Sequence, residues 1–404
     1  MPGFEVFGEE EKREILEVLE TGVLFRYEFA DKRKGVYKVA EFEKRFAEQC
    51  GAKYAQAVSS GTAALRVALA AMGISPGDEV ITQGFTFVAT WEAILESGAV
   101  PVFTEVDETL CMDVEDLEKK ITPRTRAIIP VHMLGAPAHI DKIVAIGEKH
   151  GIPIIEDTAQ ACGGTFNNRG LGTFGTIGIF SFDPVKTITT GEGGMIVTDN
   201  ETIYQNCSEY HDHGHDHNPK LERGLEGRRF IGFNYRMGEL QGAIGLAQLA
   251  RLKGMIAAQK KHKKAIRQAL EELNNVTFRK IPDPAGDTAT FLAFFLPDGD
   301  AARRFNEVLR KENAGAIYFK ENTWHFYPKW EHLLRGLTLS RTGWPFKERE
   351  QGQDLRYMPE DLPRSKAIFE RLLVYPIPVK MSNDRLETII SAIRKAGSRD
   401  GVAS

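Results

Sequence analysis

From about residue 55 the chain alternates between short apolar runs and longer segments whose apolar residues recur at helical spacing. "AQAVSS" reads as a strand, "GTAALRVALAAMG" as a helix closed by Gly73, "DEVITQ" as a strand, "TWEAILESG" as a helix and "VPVFTEV" as a strand. The alternation continues through a helix in "DLEKKI", a strand in "RAIIPVHM", a helix in "IDKIVAIGEKHG" and a strand in "IPIIED". Apolar strands separated by helices predict a mostly parallel sheet covered on both faces, since each crossover helix lies back on the sheet. "TIGIFSFD" and "GGMIVTD" then follow with no helix between them, which predicts that the sheet ends in a hairpin-like, mixed portion.

A long helical pattern starts near Gly238 and turns strongly basic at "KKHKK", which reads as a solvated helix face. After Pro282 the pattern restarts as a smaller α/β unit: a strand in "TATFLAFFLP", a helix from Asp300 and a last helix capped by Ser382. The expected organisation is a large α/β domain over residues 1–255, opened by a helical segment, and a small C-terminal α/β domain over 256–404.

A chain of 404 residues, 42% hydrophobic and 27% charged, is an ordinary globular composition with room for more than one core. The formal charge of −4 provides no concentrated basic face for nucleic acid. No apolar stretch approaches the ~18 residues that span a bilayer. The acidic, amphipathic start "MPGFEVFGEEEKREILEVLE" is unlike a secretory signal. Cys50, Cys111, Cys162 and Cys207 are too scattered to form a C-x-x-C pair and suit a reducing compartment. The expected location is therefore the cytoplasm, with no membrane or nucleic-acid partner.

Three segments carry candidate chemistry. In "AVSSGTAALRVALAAMG" a strand ends in Ser59, Ser60, Gly61 and Thr62, and the helix that follows exposes unpaired N–H groups at its positive end. That turn serves either as a plain serine cap or as a phosphate cradle. In "IPIIEDTAQACGG", Asp157 stands at the carboxyl end of an apolar strand, where open α/β sheets bind ligands. It either caps the next helix or faces the ring nitrogen of a pyridine cofactor and keeps it protonated. In "GIFSFDPVKTITTGEGGMIVTD", a strand delivers Ser181, and Lys186 follows in a turn that is glycine-rich and nearly uncharged. Lys186 is then either an exposed turn residue or, partly desolvated, an amine able to form a Schiff base.

A fourth stretch, "HDHGHDH" at His211–His217, packs four of the ten histidines into seven residues. Short His-rich tracts bind metals in some proteins, so this one reads either as a metal site or as a loop with another task.

A phosphate cradle, a strand-end aspartate and a lysine in a glycine-rich turn are the parts of a pyridoxal 5'-phosphate (PLP) site. With "GFTFVAT" and "GFNYRMGELQGAIGLAQL", they make the chain resemble the DegT/StrS family of PLP-dependent sugar aminotransferases from about residue 10 to its end. The resemblance implies the aspartate-aminotransferase-like fold (fold type I), with a mixed, mostly parallel sheet in the large domain. It implies that Lys186 forms the Schiff base and moves the proton, that Asp157 partners the pyridine nitrogen, and that Gln160 lies near the phenolic oxygen. Phe87 matches the aromatic residue stacked on the ring. Gly61, Thr62 and Ser181 match phosphate contacts, and Asn234 one that comes from a neighbouring subunit, so a homodimer with shared sites is implied. A dehydrating relative carries histidine at the lysine position, so Lys186 favours transamination. L-glutamate is the implied donor and a keto or aldehyde sugar the acceptor.

The family has a His-Gly pair at His213–Gly214, which favours a structural or substrate-facing loop over a metal site. Further stretches, including "FRYEF", "HMLGAP", "DHGHDH" and "NTWHFYPKWEHL", resemble a member that makes 8-amino-3,8-dideoxy-manno-octulosonate for lipopolysaccharide. A carboxylated sugar needs a cationic anchor. Arg26 is either that anchor or an ion-pair partner, with Asn322, Trp324 and His325 as a second wall and Arg229 and Arg236 as further cations. Residues 336–368 match nothing in that comparison. A nucleotide-linked keto-sugar or aminocyclitol acceptor, a dehydratase, and a metal-binding or sensory protein are the alternatives.

Overall fold

A computed structural model describes residues 3–347 and 354–399. Two helices come first, α1 (Glu9–Thr21) and α2 (Lys38–Cys50). There follow β1 (Tyr54–Val58), α3 (Gly61–Ala71), β2 (Glu79–Gln83), α4 (Val88–Glu96), β3 (Val100–Thr104), α5 (Val114–Lys120), β4 (Thr125–Ile129), α6 (Ile140–His150) and β5 (Ile155–Asp157). A small hairpin of β6 (Thr165–Phe166) and β7 (Arg169–Gly170) leads to β8 (Ile177–Ser181) and β9 (Gly194–Thr198), then α7 (Glu201–Tyr210) and α8 (Glu239–Glu271).

Hydrogen bonding orders these strands β3-β2-β4 and β5-β8-β9-β1, and the parallel bridges Ile128–Ile154 and Val131–Asp157 join the two groups into one sheet. Only β9 runs antiparallel, pairing with β8 on one side and β1 on the other. The β8–β9 pair is therefore the predicted mixed portion, but it does not end the sheet, because β1 returns to lie outside β9. Strands β2, β8 and β9 are buried along their whole length, which is why they read as unbroken apolar runs rather than alternating ones. All parallel strands point their carboxyl ends to one edge, so the turns after β1, β2, β5 and β8 gather there.

Apolar faces close the two sides. Ala64, Leu65, Ala68 and Ile94 of α3 and α4 pack with Ile129, Ile155 and Ile179 on one side. Phe42, Phe46, Leu249 and Leu252 of α2 and α8 pack with Phe180 and Phe182. The small alanines along α3 let it lie close to the sheet, and Ser60 caps it by accepting the Ala63 N–H at 3.0 Å.

The second sheet holds β10 (Thr277–Phe278), β11 (Phe291–Phe295), β12 (Ile317–Tyr318) and β13 (Leu372–Pro376) in the antiparallel order β10-β11-β13-β12. It is covered by α9 (Gly299–Lys311), α12 (Asn383–Arg399) and the far end of α8. Ser382 caps α12 through the Arg385 N–H. The expected division near residue 255 falls inside α8, which passes it unbroken: Met255 belongs to the first core, Ile266 and Leu270 to the second. The helices α10 (Glu331–Leu334) and α11 (Pro363–Glu370) bracket the stretch that matched nothing in sequence. Its Phe346 and Leu362 pack on Trp91, Phe103 and Trp330, and part of it lies outside the described residues.

Candidate active site

The turn after β1 places the start of α3 against the end of β8. A methyl group on Gly61 would lie 2.6 Å from Ser181 Cβ and 2.8 Å from its Oγ, so only glycine allows this approach. Among the described residues no hydrogen bond engages the N–H groups of Gly61 and Thr62 or Ser181 Oγ. Two backbone donors, a hydroxyl and a positive helix end thus face one space, a donor set suited to a phosphate.

Asp157, at the end of β5, is buried. Thr90 donates its hydroxyl to Oδ2 at 2.9 Å, and the Ala159 N–H donates to Oδ1 at 3.1 Å. Thr86 and Thr90, one turn apart at the start of α4, bond to each other at 2.7 Å and steady the first contact. Burial pushes the Asp157 carboxyl above its ordinary pKa; the Ala159 and Thr90 hydrogen bonds and the charge of Lys186 offset only part of this. A carboxylate so placed gains from a cationic partner. Behind it, buried His132 accepts the Ala138 N–H on Nδ1, so its Nε2–H donates to Glu156 at 3.0 Å. Glu156 also takes the N–H groups of Gly172, Phe174 and Gly175, which pins the loop before β8.

Lys186 is only 6% exposed, unlike an ordinary turn lysine. Its Nζ lies 3.4 Å from Asp183 Oδ2 and 5.7 Å from the centre of the Phe87 ring. The turn that holds it is fixed by Thr190 N–H and Thr189 hydroxyl bonds to Phe182 O, with Gly191 at a positive φ of 82°. Trp324 lies parallel to Phe87 at 5.9 Å, and His325 is tilted against it at 5.5 Å.

A cavity of about 430 Å³ is lined by Gly61, Thr62, Phe87, Asp157, Gln160, Ser181 and Lys186. Seven of the residues expected from sequence thus converge from the four turns after β1, β2, β5 and β8. Gln160 accepts the Leu134 N–H on Oε1, leaving its amide N–H groups to the cavity. Thr86, Thr90, Asp183 and Glu192 also line it and were not anticipated. The threonines had a readable signal, the four-residue spacing at the start of a helix in "TFVAT". A cleft of about 460 Å³ between Cys50 and Ile256 is as large but contains none of these groups.

Other expected residues stand apart from the cavity. Asn234 is exposed and bonds its side chain to the Arg236 N–H. His213 is exposed, at a positive φ of 55°. Asn322, Trp324 and His325 form a flanking wall beyond Phe87. Arg26, expected as an anchor for a sugar carboxylate, is instead closed against buried Glu43 at 2.5 Å. Glu43 also accepts the Ala57 N–H and the Gln56 amide, so Arg26 belongs to the support of β1 and is not available to a ligand.

The His-rich loop is built into the same support. His211 Nδ1–H donates to Ser208 O at 2.6 Å, while Nε2 accepts from the Tyr27 hydroxyl and the Gln56 amide. His217 donates to Ser208 O and stacks on Tyr27 at 4.6 Å; His215 donates to Glu226 and accepts from Arg228. Asp212 holds Arg223 and Arg236 at 2.5 and 2.6 Å. Burial alone would raise its pKa, but the two guanidiniums outweigh this and bring it down to about 2. Among the described residues no group of three His, Cys, Asp or Glu side chains is placed to hold a metal ion.

The cradle, the buried carboxylate, the enclosed lysine and the aromatic face together fit a phosphorylated pyridine aldehyde. The sheet order and the site define a PLP-dependent aminotransferase of fold type I. Residues 7–394 match the DegT/DnrJ/EryC1/StrS aminotransferase family, and the chain belongs to that family. It is 34% identical over 398 residues to the spore coat polysaccharide biosynthesis protein SpsC of Bacillus subtilis (strain 168), covering 96% of this chain and 95% of that protein. It is 43% identical over 228 residues to a GDP-perosamine synthase of Escherichia coli O157:H7, covering 56% of this chain and 61% of that one. An X-ray structure of an aminotransferase from Psychrobacter cryohalolentis superposes with a TM-score of 0.81 at 26% identity, covering 98% of each chain. The chain is accordingly a PLP-dependent sugar aminotransferase. Among the described residues no helix is long and apolar enough to cross a membrane.

Proposed function

We propose that the enzyme moves an amino group from L-glutamate to 8-oxo-3-deoxy-manno-octulosonate, yielding 8-amino-3,8-dideoxy-manno-octulosonate for lipopolysaccharide, in the cytoplasm and as a homodimer. The observation that carries the reaction type is Lys186, enclosed between Phe87 and Asp183 in the cavity that Asp157 floors. The acceptor rests on the sequence stretches given above. The 43%-identical GDP-perosamine synthase favours a second reading, a nucleotide-linked keto-sugar acceptor. Turnover with purified enzyme, L-glutamate and a panel of both acceptor types tests the two: amination of the octulosonate alone supports the first, and amination of the nucleotide sugar alone the second.

When bound, PLP supplies the carbonyl that takes up the amine and the electron-withdrawing ring that stabilises the carbanion left by proton removal. The chain's part is anchoring and proton movement. Lys186 Nζ would anchor the cofactor, and the same amine is placed to take the proton from the substrate carbon and return it. The Asp157 carboxylate, its plane fixed by Thr90 and Ala159, would keep a proton on the ring nitrogen. Gly61 N–H, Thr62 N–H and Ser181 Oγ would hold the phosphate, and Phe87 would cover the ring. In the proposed homodimer Asn234 would reach across to complete the phosphate contacts of the neighbouring subunit's site. Exposed Ile231 and Phe233, next to Asn234 along the chain, support a paired surface there, since exposed apolar side chains favour burial.

A further inference from the structure

The wall beyond Phe87 contains an imidazole whose protonation is set by its neighbours. Asn322 Oδ1 accepts the backbone N–H groups of Trp324 and His325, both at 2.9 Å, which fixes the orientation of its amide. The same oxygen lies 3.1 Å from His325 Nδ1, and an oxygen that only accepts requires Nδ1 to carry the hydrogen. His325 Nε2 is then a bare acceptor, and it has no hydrogen-bond partner among the described residues. The ring is held in place: Thr86 N–H bonds to His325 O at 3.0 Å, Phe87 packs against it tilted at 5.5 Å, and Phe319 packs against it near-perpendicular at 6.0 Å. Phe87 is also the ring that Lys186 Nζ approaches.

Resting on the functional reading above, we propose that His325 is a specificity-determining residue for the sugar: Nε2 accepts a hydrogen bond from a sugar hydroxyl, and the amino-acid donor does not use it. Burial first, and the charge of Lys186 second, bring the imidazole pKa down to about 4, so the ring stays an acceptor at neutral pH beside the lysine. A protonated ring would donate from both nitrogens and lose this selectivity. L-glutamate, the other substrate of the same lysine, has no hydroxyl to offer. A bare acceptor left without its partner disfavours binding, so a sugar lacking that hydroxyl is discriminated against.

The test uses holoenzyme in single-turnover mixing, following loss of the yellow band with either of two amines, L-glutamate or 8-amino-3,8-dideoxy-manno-octulosonate. His325→Phe, which keeps the packing on Phe87 and Phe319, is expected to slow the amino sugar about tenfold and leave glutamate unchanged. His325→Gln, which restores an acceptor, is expected to recover part of the loss. Nitrogen-15 spectra of the histidine rings in the unloaded protein provide a readout independent of activity. They should show His325 with hydrogen on Nδ1 from pH 5 to pH 8, and a mixed tautomer in Asn322→Ala. Equal slowing of both amines, no slowing of either, or hydrogen on Nε2 overturns the proposal. A parent enzyme that glutamate bleaches and the amino sugar does not overturns the acceptor reading and this proposal together, before any variant is made.

Discussion

Gly61→Ala tests the phosphate cradle at a single atom. The added Cβ meets Ser181 Cβ at 2.6 Å, which is 0.8 Å short of the 3.4 Å where ordinary contact begins. The helix start is fixed by the Ser60 cap and Ser181 by its pairing to Gly194, so Ser181 Oγ must swing or shift away from the cavity. A hydrogen bond to a charged group contributes about 1.5–3 kcal/mol. If the alanine removes that one contact, PLP affinity should fall about 10- to 150-fold, since about 1.4 kcal/mol is tenfold. Titration of unloaded protein with PLP, read from the absorbance of the lysine-bound form, measures it. Ser181→Gly alone should weaken binding by a similar factor, having lost the same hydroxyl. In the Ser181→Gly background the hydroxyl is already gone and the methyl meets only the Cα of residue 181, at 3.3 Å, so Gly61→Ala should add little. An undiminished second loss in that background would refute the reasoning and place the damage elsewhere in the helix start.

Lys186→Ala should abolish glutamate-dependent formation of 2-oxoglutarate and the yellow band together; steady turnover without an added amine would remove Lys186 from its role. Arg26→Gln should leave Glu43 buried without its cation and cost about 3–5 kcal/mol of stability by denaturant melting, without changing the choice of acceptor. His211, buried and hydrogen-bonded as an acceptor on Nε2, has its pKa brought down to about 3, chiefly by burial. Its neutral form is the one the fold holds, so its contribution is intact above the unfolded value near 6.5 and is lost as pH falls toward 3. Between pH 6.5 and 5 that amounts to about 2 kcal/mol, and His211→Gln should flatten the fall in stability by that much. Prolonged chelation with EDTA should change neither the spectrum nor turnover; a loss restored by one divalent metal would return the His-rich loop to consideration as a metal site.

What was legible in the sequence was local. Each part of the cavity is a strand end, a turn and the start of the next element, so "SSGT", "EDTAQ" and "SFDPVK" carry their own geometry, and a parallel sheet brings such turns to one edge. What was not legible depended on partners distant along the chain. Arg26 reads either as a carboxylate anchor or as an ion-pair partner until α2 puts Glu43 beside it. The histidines of "HDHGHDH" read from their spacing alone either as a metal site or as a loop with another task, and the partners of their nitrogens, Tyr27, Gln56, Ser208 and Glu226, leave no trace there. The place of β1 outside β9 was equally hidden, because pairing across more than a hundred residues leaves no local period. The length of α8, which spans both cores, blurred the division near residue 255 for the same reason.

The most direct measurement is the absorption spectrum of the purified protein before and after L-glutamate. The account predicts a yellow band from PLP held by Lys186, present as purified or after PLP is added, that bleaches when glutamate delivers its amine. A protein that forms no such band even with added PLP would contradict the reading of the cavity. A band indifferent to glutamate would contradict the assigned donor.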